Sequence, residues 1–568
     1  QAMNMMESTI SRFVSLINSL AGEQDYDKLI ERITKETMDI SGADGAFTYI
    51  VRENTGKLQP GSVQTRAEPI KDILPVYELQ SDAKLVALLR EDRRVVAPLE
   101  SIVPGLGPSL GIDPAFARVI AQPLRNRMQE GIGVLCLLYD GRRMAEETDQ
   151  SGRLAFIEAL SGFAAVTLEG RKMLRMQKDL LASFVKLLAG AIDAKSPYTG
   201  GHCQRVPILT KLLARKACEA ERGPFADFRL SAEEWEALHM ASWLHDCGKV
   251  TTPEYVVDKA TRLETIYNRI HEIRTRFEVL KRDVHIRYWK RIAAGEQREP
   301  LDHWLAEEWL RLDQQFLFVA ECNLGDGELN RDRMQRLHEI AAQTWERTLD
   351  DRIGISWEEL QRKERLPAAP LPVEEPLLAD RADHLLFRTG DSHEDHEFSM
   401  KTPQYLYNRG EIHNLAVVRG TLTEEERFVI NEHIVQTILM LKSLPYPHHL
   451  KAVPDIAGSH HEKMDGSGYP RGIHGEEMSI PARIVAIADI FEALTAVDRP
   501  YKKPKMLSEA LIIMKKMADD GHIDRELFHL FLESGAALEY GHTYLPAEQV
   551  DEVQTMALIK SITGGGMR

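Results

Sequence analysis

Two vicinal pairs, His245-Asp246 and His460-His461, constrain this chain more than any other feature. Ser231 with Glu234 reads as a capping box, and Trp235, Leu238 and Leu244 give the helix that follows an apolar side. That helix ends in His245-Asp246-Cys247-Gly248-Lys249. Neighbouring helical residues diverge by about 100°, so a vicinal imidazole and carboxylate can approach one metal ion or straddle two. Thr423 and Glu426 cap another helix, which carries His433 behind Phe428, Val429 and Ile430. His460-His461 runs into a glycine-rich turn ending in Gly468-Tyr469-Pro470, and Pro481 starts a helix in which Asp489 follows the apolar run Ile484 to Ala488. Taken singly, each histidine reads as an ordinary core or surface residue. A vicinal His-Asp, a vicinal His-His and a carboxylate set in an apolar helix together point to metal. Imidazole and carboxylate without thiolate suit Fe, Mn, Ni or Zn in a hydrolytic site better than a structural zinc.

Composition limits what surrounds such a site. A chain of 568 residues makes about two to four domains, and 43% hydrophobic with 28% charged residues is a globular mixture. The net charge of −16 argues against sequence-independent binding of DNA or RNA, which needs a basic stripe. A small anionic substrate remains compatible, because metal ions or a few cations reverse the field inside one cleft. No apolar run approaches the ~20 residues of a membrane span; Ile132 to Tyr139 suits a buried strand. Five scattered cysteines without CxxC spacing fit neither a disulfide framework nor a zinc ribbon, and a cytoplasmic location is expected. Gln1-Ala2-Met3 resembles a cloning remnant, and whether an upstream segment was removed stays open.

Helical and strand patterns mix from Asp25 to Val166. Tyr26 to Ile40 is predicted as a helix, Phe47 to Arg52 as a strand, Arg118–Leu124 and Gly131–Leu138 as a strand pair, and Leu154 to Thr167 as a closing helix. The phrases "SGADGAFTYIV" and "IGVLCLL" resemble the two signature strands of GAF sensor domains. The resemblance implies an α+β GAF-like domain at residues 4–166 with an unidentified ligand. Cys136, inside an apolar strand, reads as a small core residue rather than a chromophore or haem anchor. Val166, Met173, Leu180 and Leu187 then recur every seven residues, with Phe184 and Ala191 between them and Gly170 and Gln177 interrupting. A helical coiled-coil linker at 167–195 and a parallel homodimer are expected. The alternative is an amphipathic helix packed on its own domain.

The motifs "HDCGK", "HHEKMDGSGYP" and "RIVAIADIFEALTAVDRPYK" resemble the HD-GYP subfamily of HD-domain phosphohydrolases, and "SPYTGGHCQRV" resembles the helix that opens that domain. The resemblance runs from about Lys178 to Gly541. It sets an all-α domain at residues 178–545 with an insertion at about 260–420, and a tail at 546–568. It implies a two- or three-metal centre, often iron or manganese, and hydrolysis of cyclic di-GMP to pGpG and sometimes GMP. Position by position it implies His202, His245, Asp246, His433, His460, His461 and Asp489 as ligands, with Asp246 bridging. Lys249 would contact the scissile phosphate or the metal-bound hydroxide, Arg499 and Lys502 would hold phosphate, and the resemblance ties the Gly468-Tyr469-Pro470 loop to recognition of a signalling partner as much as to catalysis. Tyr198 stands where some members carry a third-metal carboxylate, so two metals are favoured; Glu492 replaces a frequent Asp and is expected to keep its supporting role. Three readings stay open: an active phosphodiesterase, a silent cyclic-dinucleotide receptor, and the same chemistry on cyclic GMP-AMP, (p)ppGpp or a nucleotide monophosphate. Base selectivity is not legible.

Within the insertion, Ile266, Ile270, Ile273, Phe277, Leu280 and Val284 predict one long helix. Trp304 to Val319 and Met334 to Trp345 continue helically, and a proline-rich stretch, Leu366 to Pro376, breaks regularity. Asp391 to Glu397 reads as a solvated acidic loop rather than a further metal site. A dimer brace and a lid are both compatible with such an arm.

Overall fold

A computed structural model of the chain describes residues 23, 25–52, 54–66, 74–91, 93–106, 115–142, 150–195, 201–325, 329–388, 397–496 and 504–563. Two compact units result, Gln1–Leu181 and Ala182–Arg568. Among the described residues, no helix is long and apolar enough to cross a membrane.

The first unit begins with α1 (Tyr26–Ser41), whose first turn is capped by the Asp25 carboxylate accepting from the N–H groups of Asp27 and Lys28. Six strands follow, with α2 (Lys84–Glu91) among them: β1 (Gly45–Arg52), β2 (Lys57–Thr65), β3 (Tyr77–Glu78), β4 (Val95–Pro98), β5 (Ala117–Arg125) and β6 (Gly131–Asp140). They form one antiparallel sheet in the order β3-β2-β1-β6-β5-β4. β6 reads as a continuous apolar run because both faces of the sheet are covered. Val134, Cys136 and Leu138 join Phe47, Tyr49 and the leucines of α2 on one face. Leu135 packs with Leu29, Ile30 and Ile33 on the other, and Leu137 with Met38. Cys136 is a buried core residue as expected, and burial pushes its thiol pKa far up, into the inert range. This is the expected α+β architecture.

The closing helix continues through residues 167–195, as expected of a helical linker. It is α3 (Gln150–Lys195), 46 residues in one piece, about 69 Å at 1.5 Å per residue. Met173, Leu180, Phe184 and Leu187 along it are 54–66% exposed.

The second unit is mainly helical. α4 (His202–Glu219) and α5 (Ala232–Leu244) come first, and a short 3-10 turn, Cys247–Thr251, follows α5. The insertion brings α6 (Ile270–Ala293), α7 (Arg298–Leu324), α8 (Arg331–Ala341) and α9 (Trp357–Lys363). After it come α10 (Glu424–Lys442), α11 (Val453–Gly458), α12 (Ile480–Thr495), α13 (Leu507–Asp519), α14 (Arg525–Glu533), α15 (Ala536–Tyr544) and α16 (Glu552–Thr563). One core joins α4, α5, α11, α12 and α13–α15 with Val185, Ala189 and Ile192 of α3. Both expected capping boxes are present, Ser231 with Glu234 and Thr423 with Glu426.

The insertion has its own core, built on Ile273, Phe277, Val319, Leu337 and Leu377. It is tied back by Arg262, only 1% exposed, which donates to the Cys322 and Gly420 carbonyls at 2.9 and 3.0 Å. Two expectations need correction here. Ile266 is 83% exposed and precedes α6, because the chain turns before the helix starts at Ile270. Trp345 lies on a strand, Thr344–Arg347, which pairs antiparallel with Val373–Pro376 of the proline-rich stretch. A second small sheet pairs Leu385–Phe387 with Tyr405–Asn408, so the arm is helical with two hairpin-like ribbons rather than helical throughout. The acidic stretch lies outside the described residues at 391–396.

Candidate metal centre

Five segments deliver the site. α4 offers His202 in its first turn, the junction between α5 and the 3-10 turn carries His245 and Asp246 as their caps, α10 carries His433, and α12 carries Asp489. His460 and His461 follow the end of α11. The 3-10 turn can pass against α10 only because residue 248 is glycine: a Cβ there would clash with the His433 carbonyl. Its N–H is satisfied by Thr437 Oγ1 at 2.9 Å.

Three of the imidazoles are aimed the same way. Nδ1 of His245, His433 and His460 faces the carbonyl of Ser242, Ile430 and Ala457 respectively, at 2.8, 2.5 and 2.7 Å. With the proton held at Nδ1, the Nε2 lone pair points away from the helix into the cluster. His202 is oriented differently, through Nδ1 against the Glu492 carboxylate, which also receives Arg205 Nε at 2.6 Å.

The ligand atoms fall into two groups, each within 4.8 Å: Asp246, His433, His460 and His461, and His202, His245 and Asp489. Asp246 belongs between them. Its Oδ2 lies 3.4 Å from Nε2 of both His202 and His245. Its Oδ1 lies 3.3 Å from His433 Nε2 and 3.9 Å from His460 Nε2. Nε2 of His245, His433 and His460 and Oδ1 of Asp246 are buried without a hydrogen-bond partner. Orphaned acceptors converging in a dry pocket are costly unless a cation meets them. The residues therefore fit a divalent metal by position and by donor type.

Electrostatics agree. Burial, reinforced by His245, pushes His460 down to about 4, and burial with His460 and His433 holds His461 well below the ordinary imidazole range, so both are neutral imidazoles, the form that can coordinate a metal. Burial opposes ionisation of Asp246, yet Lys249, His245 and His202 hold it well below the usual carboxylate range. Burial likewise opposes charge on Lys249, but Asp246 and Asp489 keep it protonated, with Nζ 2.5 Å from Asp246 Oδ2.

All seven residues assigned from the resemblance converge here. Arg499, Lys502 and Tyr198 lie outside the described residues. Tyr469 stacks on His461 with ring centroids 4.8 Å apart and 19° between planes, so the motif loop leans directly on a candidate ligand. Sequence reasoning passed over Glu462. Buried at 2% exposure, its carboxylate accepts from the N–H groups of Arg471, Gly472 and Ile473 at 2.7, 3.0 and 3.2 Å, tying down the chain after Pro470. Its position directly after His461 was the available signal. Arg205, which braces Glu492, was quoted only within a motif; its spacing three after His202 puts it on the same helical face.

Comparison with known proteins names the class. Residues 372–527 match the family model described as the HD domain, and the chain carries an HD domain. That stretch includes His433, His460, His461 and Asp489, while His202, His245 and Asp246 precede it. The chain is 34% identical over 138 residues to a 3'3'-cGAMP-specific phosphodiesterase of Vibrio cholerae, covering 23% of this chain and 31% of that one. It is 36% identical over 116 residues to a cyclic di-GMP phosphodiesterase of Pseudomonas aeruginosa, covering 20% and 27%. A cyclic di-GMP phosphodiesterase of Thermotoga maritima is 44% identical over 91 residues, covering 16% and 24%. The matched segments thus span 24–31% of these relatives' own lengths. The solved GAF domain of a GAF/HD protein from Geobacter sulfurreducens aligns with 27% of this chain and 98% of its own at 15% identity, TM-score 0.22.

Proposed function

We propose that this chain is a metal-dependent phosphodiesterase that hydrolyses cyclic di-GMP to pGpG. The observation that carries the reading is Asp246, with one oxygen facing each of two ligand groups. His202, His245 and Asp489 would hold one divalent ion and His433, His460 and His461 another, with Asp246 facing both groups; Fe and Mn suit this donor set best, with Ni or Zn as alternatives. Bound there, divalent metal would supply Lewis acidity to a phosphodiester. The chain's own part is orientation and charge. Backbone carbonyls fix three imidazoles, and Glu492 with Arg205 fixes the fourth. Lys249 stays cationic beside Asp246 and is placed to stabilise negative charge developing on the phosphate. Arg499 and Lys502 are assigned to phosphate binding by resemblance to the motif.

A second reading has specific support: one of the matched relatives is named for 3'3'-cGAMP. Purified protein reconstituted with Mn or Fe should turn over cyclic di-GMP, and a side-by-side assay with cyclic GMP-AMP ranks the two. Absence of metal-dependent turnover of either would overturn the cyclic-dinucleotide phosphodiesterase reading and leave the silent receptor or hydrolysis of (p)ppGpp or a nucleotide monophosphate. Less than one metal per chain after reconstitution would overturn the metal assignment itself. Regulation by the GAF-like unit, a parallel homodimer and a signalling partner at Gly468-Tyr469-Pro470 belong to the same proposal.

A further inference from the structure

The last turn of α3 touches both segments that open the site. Lys195, its final residue, directs Nζ at three backbone carbonyls of the 3-10 turn and its exit: Lys249 at 3.2 Å, Val250 at 2.5 Å and Thr252 at 2.6 Å. An ammonium has three donors, and here all three find acceptors in one stretch of backbone. The Lys249 carbonyl also accepts from the Thr252 N–H at 3.1 Å; carbonyls at the end of a helical turn carry partial negative charge, so a cation is the matching group. Two residues earlier, Asp193 offers Oδ1 to the Cys203 N–H at 3.3 Å, in the first turn of α4 beside His202. An anion at that end is again the matching group. Asp193 is buried, and a narrow cavity bounded by Ile192, Asp193, Lys195, His202 and Lys249 separates the two grips.

We infer that Asp193 and Lys195 are positioning residues through which the end of α3 sets the placement of His202 and Lys249. The inference rests on the phosphodiesterase reading for its kinetic consequence. A rotation or shift of the final turn of α3 moves Lys195 against the carbonyl of Lys249 itself, with no intervening side chain. Charge stabilisation depends steeply on placement, and misplacement by about 1 Å can cost about 10²-fold in rate.

The test uses the full chain reconstituted with Mn, comparing Lys195→Met, Lys195→Arg and Asp193→Asn with the parent. Lys195→Met should lower kcat for cyclic di-GMP by about 10–100-fold with KM changed less than about twofold. Amide hydrogen exchange should rise in the peptide covering residues 247–252, while metal content and Tm stay at parent values. Lys195→Arg, which keeps charge and donors, should restore kcat and protection. Asp193→Asn should raise exchange at the start of α4. Parental exchange and kcat in Lys195→Met would overturn the inference. So would loss of metal and Tm in Lys195→Met together with no rescue by Lys195→Arg, which is the signature of a purely structural contact. If the parent itself turns over neither dinucleotide, the phosphodiesterase reading fails. The exchange comparison still judges the clamp in that case.

Discussion

Asp246 and Lys249 share one turn of chain and one short contact, yet their removal has different consequences. Asp246→Ala takes away the one carboxylate that, among the described residues, faces both ligand groups, so turnover should vanish and metal stoichiometry should fall; retained activity in a reconstituted sample would refute the bridging role. Lys249→Ala leaves every metal-facing atom in place. It should slow hydrolysis about 10²–10³-fold with metal content unchanged, as expected for loss of one well-placed charge; concurrent metal loss would make its role structural. Glu462→Gln keeps the shape but weakens three backbone hydrogen bonds accepted by a charged oxygen pair. Faster proteolysis after Pro470 with little loss of metal is the expected result, read by mass spectrometry of the limited digest. The site residues were legible because metal chemistry needs imidazole and carboxylate in unusual neighbourhoods, and such pairs survive in sequence as vicinal letters. Lys195 was not, since it acts on backbone atoms, and backbone partners leave no letter to read; Glu462 likewise holds backbone, and only its place directly after His461 hinted at a role.

Among elements, the insertion shows where periodicity fails. The pattern from Ile270 to Val284 did fold as a helix, since its apolar residues face α7 and α8 in one core. Ile266 and Trp345 fit the same spacing but sit in a turn and on a strand, where chain reversal and ribbon pairing override helical spacing. Apolar spacing records which side is buried only where the element continues. Docking of the arm onto α10 has a pH handle in His413 and Glu425, paired at 3.1 Å. The Glu425 hydrogen bond raises the His413 pKa above 6.5, so that contribution is complete below 6.5 and fades as pH rises through the raised value. Burial opposes ionisation of Glu425, but His413 and the backbone lower its pKa below 4.5; its contribution is present above 4.5 and fades as pH falls through the lowered value. The pair therefore stabilises most between 4.5 and 6.5. The Tm difference between the parent and His413→Gln should peak in that window and shrink on both sides, and a difference independent of pH would exclude the ion pair as its source.

For the molecule as a whole, the heptad seam on α3 is the feature that stands out as largely exposed among the described residues. Met173, Leu180, Phe184 and Leu187 remain mostly exposed, while Val185, Ala189 and Ile192 on the same helix are buried in the core of the second unit. Burying one leucine is worth about 1.5–3 kcal/mol, so a seam of this length left in water is a large unrealised gain. A second copy aligned in parallel presents the identical seam in register, which meets the heptad spacing directly. The long helix would then carry a change in the first unit toward Lys195 as rotation or register shift, a two-state element. Leu180→Glu combined with Leu187→Glu sets like charges against each other in that desolvated interface. Light scattering should then report monomers, or a splayed dimer with altered turnover, at unchanged metal content. A dimer of parental mass with parental turnover would mean that the seam faces no second copy, and the route from the GAF-like unit to the metal centre would have to run elsewhere than along α3.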